Sequence, residues 1–371
     1  MQIVISLFDA SADGVHLASI QSGRRGRAID QNVDAIRLSG VRERAIAARN
    51  GPKVSAAPPV FLKEIAVSGP SRILCAVDFS RPAQAAFEHA LALSRDRNAE
   101  LTAVHAIPVS ERFNWRARER IAKTAALRGA AEAAGVCLRV TEQHGDPAGV
   151  ILLHANAGRF DLIVVGTHAR TGVERLRTGS IAEQVTQRAN SPVLIVPMSE
   201  GWREGLASFR NIMCPVDFTK ASDAALGHAL HLVNDGGRLT LLHVSSASHA
   251  VSASRYAYHF GGFEYARRLQ QDAWQRLQDA VPVEARTTAD VRARVVSGTP
   301  ATEIVRIASE IEADLIVMGV TSRGAIGRKL IGSTAARVLR TAGRPVLAVP
   351  EGILGRVNLD TTPDSVTRVA A

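Results

Sequence analysis

Apolar residues in this chain gather in short runs, such as Arg72-Ile-Leu-Cys-Ala-Val, Leu101-Thr-Ala-Val-His and Asp161-Leu-Ile-Val-Val, with longer mixed stretches between them. Aliphatic runs of this length bounded by breakers read as buried strands, and the stretches between them are long enough for helices. The spacing predicts strand 72–78, helix 82–96, strand 100–107, a long helix 111–134, strand 136–143, helix 147–157, strand 161–166, helix 180–189 and strand 192–197. Strands alternating with helices in this way form an α/β fold, a doubly wound and mostly parallel five-stranded sheet with right-handed crossovers. The helix starts are marked chemically. Asp146-Pro147 and Thr299-Pro300 set a capping side chain before a proline at the first helical position, where the missing N–H is no loss. Ser180 stands three residues before Glu183, a capping-box spacing.

The whole pattern is written twice. The phrase from Gly166 through Gly179-Ser180 returns as Gly319 through Gly332-Ser333. Upstream, Arg72-Ile-Leu-Cys-Ala-Val-Asp78-Phe-Ser80 is answered by Asn211-Ile-Met-Cys-Pro-Val-Asp217-Phe-Thr219, and His105 by His243. Two tandem domains follow, 70–200 and 208–351, each of a normal size for one core. Asp78 to Asp217 is 139 residues, whereas Gly166 to Gly319 is 153, so about 15 extra residues lie after the second strand of the second domain. The candidate stretch is Ser245–Tyr265, which clusters Tyr256, Tyr258, Phe260 and Phe263; it reads as a loop tucking its rings under the next helix rather than as a lid. Residues 1–69 have no counterpart and read as a poorly ordered extension, and 352–371 as a flexible tail.

Composition narrows the class. The 371 residues are 46% hydrophobic but only 4% aromatic, so the cores are built from Val, Ile, Leu and Ala, which suits parallel sheets covered by helices. No apolar run approaches the about 20 residues needed to span a bilayer, and the first residues carry Asp9 and no basic leader region. A cytoplasmic protein with no membrane partner is expected. The net charge of +10 is spread along the chain without a concentrated basic block or a recognisable binding motif, which argues against nucleic acid as the partner. Cys75 and Cys214 occupy the same place in the two first strands and read as small buried residues; Cys137 has no counterpart, and no spacing indicates a disulfide or a metal site.

The strand ending in Val-Asp-Phe-Ser/Thr, the histidine at the end of strand two and the glycine loop closing on Gly-Ser together closely resemble the universal stress protein family in its tandem form, over about residues 70–350. The resemblance implies strand order 3-2-1-4-5 in each domain, two domains packed as an internal pseudo-dimer, and a ligand crevice where strands one and four separate. It also implies a stress-response role, with adenine nucleotide, ATP, as a sensed or stabilising ligand. By the same resemblance Asp78 and Asp217 meet the adenosine, and Ala106 and Val244 pack on adenine. Val165, Gly166, Met318 and Gly319 end the fourth strands beside it. The loop positions Ala169 and Ser322, then Gly179, Ser180, Ile181 and Gly332, Ser333, Thr334 at the fourth helix, would receive phosphates. A polyanion suits N–H donors at a helix N-terminus, and glycine lets the backbone come close. Both copies depart from the family at one place: the second loop glycine is Ala169 in one and Ser322 in the other.

Plainer readings stand beside these. Ser180 can simply cap its helix. Arg170, Arg175, Arg177, Arg323, Arg328 and Lys329 could meet phosphates but read as a solvated loop face. His105 and His243 read as hydrogen-bonded structural histidines rather than catalytic ones. There is no Gly-x4-Gly-Lys loop, no Gly-x-Ser-x-Gly turn and no His-x3-His pair, so no enzyme is expected. One aspartate per site is thin support for Mg²⁺. Three readings remain: a nucleotide-binding stress protein, a nucleotide-free scaffold or interaction protein, and a slow ATP-hydrolysing enzyme; an unknown protein partner and a further homo-oligomer are open in each. A Cβ at 169 and 322 adds strain in the phosphate path if that position needs φ > 0. The double variant Ala169→Gly, Ser322→Gly is therefore expected to bind ATP about tenfold more tightly in titration calorimetry, with roughly 1–2 kcal/mol of strain relieved; no response would mark an abandoned site.

Overall fold

Aliphatic strands buried on both faces organise the molecule. The computed structural model describes residues 70–107, 117–168, 180–198, 209–246, 262–321 and 331–351; the extension 1–69, the tail 352–371 and residues 247–261 of the expected insertion lie outside the described residues. The first repeat runs β1 (Arg72–Ala76), α1 (Arg81–Arg97), β2 (Glu100–Ile107), α2 (Ala117–Ala133), β3 (Leu138–His144), α3 (Pro147–Gly158), β4 (Leu162–His168), α4 (Ser180–Arg188) and β5 (Val193–Met198). The second runs β6 (Asn211–Pro215), α5 (Lys220–Leu232), β7 (Arg238–Ser246), α6 (Gly262–Asp279), the short α7 (Ala285–Thr288), β8 (Asp290–Gly298), α8 (Pro300–Glu310), β9 (Leu315–Val320), α9 (Ser333–Thr341) and β10 (Val346–Pro350).

All ten strands form one sheet, in the order β3-β2-β1-β4-β5-β10-β9-β6-β7-β8. Each half has the expected order 3-2-1-4-5. The pairs are parallel within each half, and the halves join antiparallel at β5 and β10, with Leu347 opposite Leu194 and Val346 opposite Ile195. This seam is the internal pseudo-dimer. Alternate residues face opposite sides, as a pleated strand requires. Ile73 and Cys75 join a core with α1, α2, α5 and α6, whereas Leu74, Ile163 and Val193 join another with α3, α4, α8 and α9. Both cores run across the seam. Cys75 and Cys214 are fully buried, and burial pushes both thiols far above the ordinary range, so they behave as small apolar side chains.

A repeated aspartate fixes where β4 meets β1. Asp161, just before β4, accepts hydrogen bonds from the backbone N–H of Ser71 and Arg72, both at 3.0 Å, and from the Ser71 hydroxyl at 2.7 Å. Asp314 does the same before β9, accepting from Arg210 N–H at 2.8 Å and Asn211 N–H at 3.0 Å. Both carboxylates satisfy strand-start N–H groups that no helix or strand reaches.

Two expectations need correction. Asp146 caps α3, accepting from the Gly149 N–H at 2.8 Å, but the Thr299 side chain makes no capping bond at the start of α8. Glu303 supplies a negative charge in that first turn instead, which suits the helix N-terminus. The extra residues of the second repeat are also not confined to 245–265. The connection from α6 to β8 has ten residues, 280–289, where the first repeat has four, 134–137, and part of that surplus winds into α7.

The seam carries a titratable cluster. His89 on α1 and His228 on α5 occupy equivalent repeat positions, and Arg97 reaches across from α1 to the Leu232 carbonyl at 3.1 Å. Burial, reinforced by His231, pushes His228 down to about 4, and its Nε2 has no hydrogen-bond partner. Burial also lowers His89, and burial with Arg97 lowers His231. A histidine depressed in the folded state favours folding fully above its unfolded pKa of about 6.5, and that contribution is lost as pH falls from there toward the folded value. Urea unfolding at pH 4.5 should therefore show His228 costing about 2–3 kcal/mol relative to pH 7.5, and the variant His228→Leu should flatten that dependence.

Candidate functional site

The site is a consequence of strand order. β1 and β4 lie side by side, with Cys75 opposite Val164, and their following connections leave toward opposite faces of the sheet. A crevice must open beyond their carboxyl ends. In the first repeat it is a cavity of about 450 Å³, lined by Ala76, Asp78, Val104, Ala106, Val165 and Ile181 among others. Gly166 and Thr167 close one side; Glu119, Arg120 and Lys123 reach in from α2, and Pro147 and Ile151 from α3.

The turn after β1 is built by local hydrogen bonds. The Asp78 carboxylate accepts the Ser80 N–H at 2.9 Å, and the Ser80 hydroxyl accepts the Ala83 N–H at 3.4 Å to cap α1. Asp217 accepts the Thr219 N–H at 3.1 Å and its hydroxyl at 2.5 Å. Between aspartate and cap stand Phe79 at φ 62° and Phe218 at φ 61°, a left-handed conformation rare for a bulky residue. Each phenylalanine ring packs against a histidine. Phe79 lies 4.7 Å from the His105 ring and Phe218 4.8 Å from His243. Each histidine is held in turn by Nδ1, which donates to the Val77 carbonyl at 2.7 Å or the Val216 carbonyl at 2.8 Å. The two histidines thus orient the turns that present the aspartates.

Glycine at the end of β4 has a steric cause. A Cβ on Gly166 would lie 2.8 Å from the Ala83 nitrogen and closer still to the Pro82 carbonyl; on Gly319 it would lie 2.7 Å from the Ser222 nitrogen and closer to the Ala221 carbonyl. The strand ends touch the first turns of α1 and α5. Gly332 is different: it precedes α9 at φ −55°, and a Cβ there would meet nothing nearer than the Thr321 hydroxyl at 3.6 Å. Among the described residues no steric contact requires glycine at 332.

Among the residues singled out from the sequence, Asp78, Ala106, Val165, Gly166 and Ile181 come together around the first cavity. Asp217, Val244, Met318, Gly319, Gly332, Ser333 and Thr334 occupy the equivalent positions at the ends of β6, β7 and β9 and the start of α9. Ser180 is the first residue of α4. Ala169, Gly179 and Ser322 lie outside the described residues, as do the loop cations from Arg170 to Arg177 and Arg323 to Lys329. Sequence reasoning missed Phe79 and Phe218, although the repeated Asp-Phe pair was a signal, and missed the α2 cations. Lys123 lies 5.7 Å from the centre of the Phe79 ring and pairs with Glu119 at 2.8 Å; Arg120 pairs with Glu142 at 3.0 Å. Among the described residues no group of three or more His, Cys, Asp or Glu could hold a metal ion, and no helix is long and apolar enough to cross a membrane.

The steric account of Gly166 predicts that Gly166→Ala lowers stability by about 1–3 kcal/mol, whereas Gly332→Ala changes it by less than about 1 kcal/mol. Denaturant midpoints of the two variants check this.

Comparison with known proteins places both repeats. The model of the universal stress protein family matches residues 70–197 and again 208–350. Universal stress protein G of Escherichia coli O157:H7 is 35% identical over 143 residues, covering 38% of this chain and 99% of its own. Universal stress protein YxiE of Bacillus subtilis (strain 168) is 30% identical over 145 residues, covering 34% of this chain and 98% of its own. A solved universal stress protein from Archaeoglobus fulgidus DSM 4304 shares the fold at a TM-score of 0.55 and 21% identity, across 76% of this chain and 99% of its own.

Proposed function

The chain belongs to the universal stress protein family, and we propose that it serves a stress response as a member that holds an adenine nucleotide, ATP, as a sensed or stabilising ligand. The observation that carries this reading is the first cavity: about 450 Å³, apolar in its floor and charged at its mouth. That volume falls within the range of small-molecule sites, which combine apolar walls with a few placed polar groups.

Each part of the nucleotide has a counterpart in the chain. Val104, Ala106, Ile151 and Val165 offer an apolar wall to the base. Asp78 is exposed at the end of β1 and accepts hydrogen bonds, which suits ribose hydroxyls. Phosphates suit the N-terminus of α4, where backbone N–H groups and the helix dipole favour negative charge, with Lys123 lining the same cavity. In the second repeat Gly332 precedes α9 and Asp217 follows β6, the positions equivalent to Gly179 and Asp78. Bound ATP would supply a compact polyanion whose attachment favours the folded state by mass action. We read it as a retained ligand whose presence is passed to a protein partner, rather than as a substrate.

Native mass spectrometry of the full chain purified from cells should show carried adenine nucleotide, and calorimetry should show ATP binding that weakens at least about tenfold in Asp78→Ala, the loss of a hydrogen bond to a charged group. Absence of nucleotide in both measurements would favour the scaffold reading. Phosphate release above background that vanishes with Asp78→Ala and Asp217→Ala would favour the enzyme.

A further inference from the structure

The two repeats are built to one plan, so their crevices can be compared wall by wall. Four positions that line the first cavity carry smaller side chains than their partners in the second repeat. Ala76 is answered by Pro215, Val104 by Leu242, Ala106 by Val244 and Val165 by Met318. These four lie on one side of the sheet, in or against the core that also holds Ile151 and Ala182. Leu242 and Met318 are buried in that same core at 0% and 5% exposure, with Val244 packed on it. At other positions the residue is kept, as in Pro147 and Pro300, Ile151 and Ile304, Ala182 and Ala335, while Ser80 is answered by Thr219, Ala83 by Ser222 and Thr167 by Val320. Two exchanges run the other way. Ile181 becomes Thr334, but Ile181 is 38% exposed and stands at the rim; Pro82 becomes Ala221, at the helix start that packs on the β4 glycine.

In the apolar floor the difference runs in one direction, toward smaller side chains in the first repeat. Buried side chains fill space at near-crystalline density, so a run of smaller residues on a rigid sheet leaves room that a ligand can enter. The strand register is the same in both repeats: β1 pairs with β2 and β4 as β6 pairs with β7 and β9, with Ile73 and Ile212 set equivalently against Leu101 and Leu239 and against Leu162 and Leu315.

We propose that the two crevices differ in ligand selectivity: the first, widened at Ala76, Val104, Ala106 and Val165, accepts a nucleotide whose base bears an additional apolar group, and the second, floored by Pro215, Leu242, Val244 and Met318, excludes it. This rests on the nucleotide reading of the crevice. The chemical class is an adenine nucleotide with a bulky substituent on the ring, and the four floor residues are its specificity determinants. Asp78 and Asp217, which are the same in both, do not discriminate.

The test uses the full chain, ATP, and two ATP analogues carrying a phenyl-sized group on the base, one at N6 and one at C2. Calorimetry and native mass spectrometry should show at least one analogue bound at a single site per chain. The floor variant Val104→Leu, Ala106→Val, Val165→Met copies side chains that the second repeat already packs, so the fold has a precedent for them; its affinity for the analogue should fall at least tenfold more than its affinity for ATP. The reciprocal variant Leu242→Val, Val244→Ala, Met318→Val should gain a second analogue site. ATP binding with both analogues rejected, with two analogue sites in the unaltered chain, or with analogue affinity unmoved by the first variant would overturn the inference and leave the nucleotide reading standing. Failure of ATP itself to bind the unaltered chain would overturn both.

Discussion

Pairing of β1 with β4 is the constraint on which the rest depends. Two parallel strands adjacent in space but far apart in sequence have to be brought into register, and nothing local does so. The chain solves this twice with one device: an aspartate before β4 or β9 takes up the N–H groups that begin β1 or β6. At the other end the strand closes against the first turn of a helix through a bare glycine, Gly166 or Gly319. Register and helix position are thereby fixed at both ends of the pair. The crevice is what remains between them.

Joining the two halves through β5 and β10 answers a second problem. A five-stranded sheet ending in so apolar a strand would leave unpaired backbone groups along a hydrophobic edge, a template for unwanted association. Antiparallel pairing of Val193, Leu194 and Ile195 with Ala348, Leu347 and Val346 covers both edges at once. The outer edges are the more polar β3 and β8, where Arg292 and Arg238 pair with Asp290, and Arg294 with Glu310. Charge at an exposed edge discourages further strand addition.

Much of this was legible in the sequence because repetition supplied an internal control. Strands read as aliphatic runs, helix starts as capped prolines, and the order of the sheet through the resemblance carried by the Asp-Phe, His and Gly-Ser phrases. What could not be read was whatever depends on contacts between distant segments. The left-handed Phe79 packs on a histidine from another strand, a contact that the local sequence does not announce. Gly166 looks like any loop glycine until helix α1 is placed against it. Thr299 has the sequence of a cap, yet its side chain makes no capping bond. The surplus residues of the second repeat were counted correctly, but their division between two connections depends on where α6 ends. Lys123 and Arg120 lie on a helix whose orientation over the crevice only tertiary packing decides.

The seam between β5 and β10 has a consequence for how such a molecule can change. When two identical chains meet at an edge strand, every substitution is made in both copies, and the pair of crevices moves in lockstep. Here the two edges belong to one polypeptide, 371 residues long, so each floor position exists once. One half can be altered while the other continues to supply the edge strand with which it pairs. Covalent linkage has turned a symmetry requirement into a scaffold on which two sites drift apart independently.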